Sequence, residues 1–118
     1  MNSVSIIGNL GHEPDLRHVQ SGKPVLNCRI AVDKPRSSGG RTLSDTSWFD
    51  VTIWGAQAEH QAKYLTKGSR IAIQGELNQR SWKDRDGNNR SSVEIIAHRI
   101  DWIDLKPKAE DTSLTTST

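Results

Sequence analysis

Ser47-Trp48-Phe49-Asp50-Val51-Thr52-Ile53-Trp54 is the stretch that decides how this chain folds. Apolar and polar residues alternate along it. A strand turns successive side chains to opposite faces, so Phe49, Val51 and Ile53 share one face and Trp48, Asp50, Thr52 and Trp54 the other. The odd positions can build a core, which leaves both tryptophans on the polar side. The segment beginning at Arg70 repeats the arrangement. Ile71, Ile73, Gly75 and Leu77 form an apolar row, opposed by Arg70, Ala72, Gln74, Glu76, Asn78, Arg80 and Trp82. Indole rings on a solvated face beside guanidinium groups suit a flat ligand. Unpaired nucleic-acid bases are such a ligand, because every base offers a π-face. The alternative is that these rings cover a subunit interface or a hydrophobic patch.

Outward from that stretch the chain divides into short elements. Val4, Ile6 and Ile7 begin a strand that ends at Gly8-Asn9-Leu10-Gly11, and Glu13-Pro14-Asp15 marks a turn. Residues 16–19 resume the strand or start a short partner. Ser21-Gly22 reads as a hairpin turn into a second strand, in which Leu26, Cys28, Ile30 and Val32 alternate with Val25, Asn27, Arg29 and Ala31. Residues 33–46 carry Pro35, Ser37, Ser38, Gly39 and Gly40 together with Lys34, Arg36 and Arg41, and read as a basic loop. After Gly55, residues 56–65 place Ala58, Ala62 and Leu65 on a helical stripe, and Lys67-Gly68 is a stop signal. A fourth strand spans 70–80. Asp86-Gly87 marks the hairpin into a last strand over 92–103, where Trp102 is expected to pack. Strand, strand, strand, helix, strand, strand is the order of the oligonucleotide/oligosaccharide-binding (OB) fold, an all-β, five-stranded Greek-key barrel with one helix between strands 3 and 4. Residues 1–104 form this domain, and residues 105–118, rich in Ser and Thr, are expected to be a short disordered tail.

Bulk properties narrow the function classes. The 118 residues suit one domain, with a net charge of only +2. Charge is uneven, however. Between His60 and Ile100, eight cations (Lys63, Lys67, Arg70, Arg80, Lys83, Arg85, Arg90, Arg99) face four acids (Glu76, Asp84, Asp86, Glu94), compatible with a polyanion partner. The single cysteine, Cys28, excludes an internal disulfide and a thiolate zinc site. His12, His18, His60 and His98 are scattered without metal-ligand spacing, and His18 and His98 read as surface or strand-edge residues. No nucleophile-plus-base motif occurs, and Gly8 to Gly11 is too short and too far from a helix to cradle phosphate. Neither catalysis, a metal nor a cofactor is expected. The start lacks the pattern of a signal peptide, and no stretch approaches the ~20 apolar residues of a membrane span. A cytoplasmic location is the expectation.

Four motifs, in order, resemble bacterial single-stranded DNA-binding proteins over residues 2–103. They are the opening Asn2 to Gly11 with Glu13-Pro14-Asp15-Leu16-Arg17, then Ser47 to Gly55 with Ala58-Glu59, then Tyr64 to Ile71 with Gln74-Gly75-Glu76-Leu77, and last Arg80-Ser81-Trp82-Lys83-Asp84 with Gly87 and Arg90. The resemblance implies an OB barrel assembled as a homotetramer and wrapped by single-stranded DNA. It implies a nucleoid-associated role in replication, recombination and repair without catalysis. It places Trp48, Trp54 and Trp82 at base-stacking positions and Arg17, Lys67, Arg80 and Arg90 at basic positions suited to phosphate. It also implies that the first strand is the edge for dimer formation and that Phe49 lies inward or at an interface.

Three departures from that pattern stand out. Where the family often has a further stacking tryptophan, this chain has Lys34, Pro35 and Arg36, and Arg36 is the nearest match; a guanidinium plane stacks less extensively than indole. Asp50 and Asn78 stand where cations are frequent, and Asp50 is expected to repel the phosphate backbone. The sequence closes on Leu114-Thr115-Thr116-Ser117-Thr118 without the family's acidic tip, which puts recruitment of replication and repair proteins in doubt and suits a short-tailed paralogue. Two rival readings are single-stranded RNA binding by the same barrel and a primosome-type accessory protein acting through protein contacts. The second is disfavoured by the three tryptophans.

Overall fold

The alternating segment is the final half of a longer strand, and the barrel is built around it. The structure is a computed structural model describing residues 1–39 and 41–108, the side chains of 36–38 and 41–44 excepted. The elements are β1 (Val4–Leu10), β2 (Asp15–His18), β3 (Pro24–Ser38), β4 (Arg41–Trp54), α1 (Ala56–Tyr64), β5 (Arg70–Lys83) and β6 (Asn89–Asp104). Strands follow the order β1-β5-β6-β4-β3-β2, and β1 also pairs with β3 through Asn9↔Ala31 and Leu10↔Ile30. That last pairing closes β1, β3, β4, β5 and β6 into a barrel with the expected helix between β4 and β5. β2 lies outside the barrel as a short partner of β3. All pairings are antiparallel except β4 with β6, which run parallel at Val51↔Ile95 and Thr52↔Ile96.

The apolar faces meet inside as the alternation requires. Leu10, Leu26, Ile30, Val51, Ile53, Leu65, Ile71, Ile73 and Ile95 are all buried, and Phe49 packs against them half-buried from its place opposite Ile30. Removing such side chains from water is the main favourable term in folding. Leu77 departs from the expected row: it is exposed, because it lies two residues beyond Gly75, the last β5 position paired with β1, although its β6 partner Ile95 is still buried.

Cys28 sits in the core, where burial pushes its thiol up to about 12. The protonated thiol is the form the fold favours. Its contribution is complete below the ordinary thiol pKa and is lost as pH rises from there toward about 12. At pH 8 iodoacetamide is expected to alkylate the native protein on the order of a hundredfold slower than the denatured chain. Mass spectrometry after timed quenching checks this; equal rates would place the thiol at the surface.

Residues 33–46 correct the expected loop. They complete a long β3–β4 hairpin, with pairs running from Asp33↔Thr46 to Ser38↔Arg41 around Gly39, whose φ of 57° suits a tight turn. Pro35 lies within the strand pair, opposite Ser44, and Gly39 at its turn. Thr46 Oγ1 donates to Asp33 Oδ1 at 2.8 Å across this arm.

The helix packs against the barrel through Ala58 and Gln61, and the residue that follows it, Leu65, is buried in the core. Gln61 Oε1 accepts the indole N–H of Trp102 at 2.7 Å, and the Trp102 ring stacks on His60 with centroids 5.9 Å apart. Trp102 thus packs on α1 through one edge and one face, as expected, but it is not buried: it is 40% exposed, as much as Trp54. Beyond β6, Leu105 packs against the core, Lys106 N–H donates to Ser69 Oγ and Lys108 Nζ donates to the Ala62 carbonyl. Residues 109–118, most of the expected tail, lie outside the described residues.

Candidate nucleic-acid interface

Cross-strand register gathers the polar faces of β2, β3 and β4 into one surface. Trp48 lies opposite Ala31, Asp50 opposite Arg29, Thr52 opposite Asn27 and Trp54 opposite Val25. On the next strand Asp15 lies opposite Asn27 and Arg17 opposite Val25. The β5–β6 hairpin continues the surface, with Arg80 opposite Ser92 and Trp82 opposite Arg90. Trp48, Trp54 and Trp82 are 46%, 38% and 48% exposed, so strand parity placed all three correctly.

Each ring has a different setting. Trp48 is the most closely held. The Arg29 guanidinium lies over it 5.4 Å from the centroid, and the His12 ring is near-parallel at 6.1 Å. A Cβ at Gly11 would fall 2.2 Å from Trp48 Cζ3, so only glycine leaves this ring its place. Trp54 has Lys23 Nζ 5.3 Å from its centroid and borders a cleft with Gln57, Ile96 and His98. Trp82 lines an open groove with Gln79, Lys83, Asn89 and Arg90.

Between the tryptophans runs a polar groove of about 420 Å³, bordered by Asp15, Arg17, Asn27, Asp50, Thr52, Arg80 and Glu94. Its charges are paired. Arg17 is bonded to Asp15, Arg29 Nη1 reaches Asp50 Oδ1 at 3.3 Å, and Arg80 Nε reaches Glu94 Oε2 at 2.8 Å. Glu94 is only 7% exposed. A buried carboxylate is costly unless paired, and Arg80 supplies the partner. At the hairpin tip Arg90 Nε contacts Asp84 Oδ2 at 2.9 Å, while Asp84 Oδ1 accepts the Asn88 and Asp86 N–H groups. The Asn88 N–H, then the Arg90 guanidinium, hold the Asp84 carboxyl below the usual carboxylate range. Bonding that favours the charged form is the physical cause.

Arg17, Arg80 and Arg90 therefore share the surface with the three tryptophans. Lys67 is exposed in the turn after α1, where its backbone N–H donates to Glu13 Oε1. The Arg36 side chain lies outside the description. Two findings amend the expectations. Asp50 does not present an isolated negative charge, because Arg29 engages it. Thr52 belongs to the polar row yet is buried, because β6 runs alongside it. Arg29, Gly11 and His12 were not singled out from sequence. Arg29 was legible in principle: it occupies the polar row of β3, on the ladder position facing Asp50. His12 and Gly11 left no signal, because only tertiary folding brings the turn after β1 under Trp48.

Among the described residues no group of three or more His, Cys, Asp or Glu is placed to hold a metal, and no helix is long and apolar enough to cross a membrane. The sequence model of the single-strand binding protein family matches residues 1–103. The chain is 35% identical over 109 residues to single-stranded DNA-binding protein 1 of Xylella fastidiosa, covering 90% of this chain and 79% of that protein. It is 36% identical over 107 residues to the single-stranded DNA-binding protein of Thermotoga maritima, covering 90% and 76%. The Plasmodium falciparum SSB complex with ssDNA superposes with a TM-score of 0.78 at 26% identity, over 88% of this chain and 96% of that one.

Proposed function

This chain belongs to the single-strand binding protein family, and on that premise we propose that it coats unpaired DNA irrespective of sequence in replication, recombination and repair. The family is non-catalytic. The observation that carries the proposal is the trio of half-exposed indoles, Trp48, Trp54 and Trp82, on one polar surface with Arg17, Arg80 and Arg90. Bases stack on the rings, and the cations, with Lys67 and Arg36, meet the backbone. Stacking contributes roughly 1–3 kcal/mol per base and tolerates any base, whereas phosphate contacts carry no sequence information.

Titration of oligo-dT at two salt concentrations, followed by tryptophan fluorescence, tests this reading. Quenching by oligo-dT and not by duplex DNA, weaker at high salt, is the expected result. An oligo-U competitor in the same assay decides between DNA and RNA. No quenching by any single strand would assign the rings to a protein interface.

The working assembly we infer is a homotetramer in the cytoplasm, associated with the nucleoid. In its favour, β1 pairs along Val4–Asn9 with β5, while among the described residues only its last two positions pair with β3. Its other edge is open, with Ile7 49% exposed beside it. Open edges of this kind pair with other chains. Sedimentation equilibrium should give four times the 13.1 kDa chain mass; a monomer would overturn the assignment.

A further inference from the structure

Three arginines on this surface are already engaged, each with its own carboxylate. Arg17 holds Asp15, Arg29 holds Asp50 and Arg80 holds Glu94. The central groove accordingly has three carboxylates, Asp15, Asp50 and Glu94, against the two guanidinium groups of Arg17 and Arg80. A surface built only to attract a polyanion would not be compensated in this way. The pairs come from different places in the chain: within β2, across β3 and β4, and diagonally across β5 and β6.

We propose that Asp15, Asp50 and Glu94 are specificity-determining residues, which neutralise the arginines of the surface and so turn it against duplex nucleic acid in favour of unpaired bases. The proposal rests on the reading of the chain as a single-strand binder. Its physical basis is counterion release. A protein cation that replaces condensed counterions on a phosphate gains their release, which steepens the salt dependence by about 0.9 per contact on duplex DNA and about 0.7 on single strands. A guanidinium held by a carboxylate gains little. If the ion pair persists, no counterion is displaced. If phosphate displaces the carboxylate, the freed carboxylate stays beside the phosphate and its charge offsets that of the guanidinium, so the net positive charge meeting the strand is no greater. A duplex stacks its bases inside and offers this surface mostly phosphate, so compensation removes the arginines' share of its attraction. A single strand retains stacking on Trp48, Trp54 and Trp82.

The test compares oligo-dT and a duplex of equal length across a salt series, using the full chain and two variants. Asp15→Asn/Asp50→Asn alters side chains that are 52% and 60% exposed, so folding is preserved. The second variant adds Glu94→Gln. The double variant is expected to bind duplex about tenfold tighter at low salt, with a salt slope steeper by 1 to 2 units. Its gain on oligo-dT should be smaller, so the ratio of single-strand to duplex affinity falls. The triple variant should extend both trends. A folded double variant with unchanged duplex affinity and slope overturns the proposal. Failure of the unaltered chain to bind oligo-dT would overturn the single-strand reading instead, and the duplex series would still decide whether the carboxylates screen the surface.

Discussion

Replacing Trp48, Trp54 and Trp82 together by alanine is expected to abolish high-affinity binding of oligo-dT while leaving the barrel folded. Three stacked bases at roughly 1–3 kcal/mol each amount to about 3–9 kcal/mol, a loss of at least a hundredfold in Kd. Neighbouring contacts on one strand are not strictly additive, so the lower end is the safer figure. The fold should persist because all three rings stand half-exposed outside the core. Fluorescence cannot report on this variant, so anisotropy of a dye-labelled oligo-dT is the measurement, with a circular dichroism melt as the fold control. Among the single variants, Trp48→Ala also removes the ring over which Arg29 lies, and should lose stacking and guanidinium placement together. Trp102→Ala is the contrasting case. Its indole bonds Gln61, so it should lower the melting temperature and leave binding unchanged. A triple variant that bound like the unaltered chain would remove this surface from the DNA path.

Among the described glycines, Gly75→Ala should have the largest effect on stability. An added Cβ would lie 2.0 Å from the Ile96 carbonyl oxygen, 2.9 Å from its carbon and 3.1 Å from Ala97 Cα, all backbone atoms. A flexible side chain could swing aside, but a paired strand cannot. The site is the irregularity between Gln74 and Gly75 where β5 and β6 shift register. Overpacking of this kind costs about 3 kcal/mol or more. For a domain of this size that lowers Tm by roughly 12–25 °C. Gly87→Ala makes the instructive comparison. Gly87 has φ 81° but open space around it, so the cost is conformational only, about 1 kcal/mol. Thermal melts of the two variants separate steric from conformational cost. Equal, small shifts would mean that β5 and β6 do not approach as closely as described.

Much of the binding surface was legible in the order of residues. Parity along 47–54 and 70–82 decides which side of a strand an indole occupies, and this holds whatever the strand pairs with. Turn chemistry was equally local: Gly22 and Gly87, at φ 90° and 81°, sit where the hairpin signals stood. Residues 33–46 misled because local propensity and strand pairing disagree there. Gly39, Ser37 and Pro35 read as a loop, yet each side of the segment has a partner in the other, and the added ladder outweighs weak intrinsic preference.

By itself, then, the sequence determined the element order, the inward and outward faces, and the three exposed indoles, because periodicity belongs to a single segment of backbone. Only the tertiary structure decided that Arg29 holds Asp50 beside Trp48, that Arg80 covers the buried Glu94, that Thr52 is hidden by β6 and that Gly75 admits no side chain. Each of these depends on the register between segments far apart in the chain. Register is set by how whole faces pack together, and no local pattern carries that information.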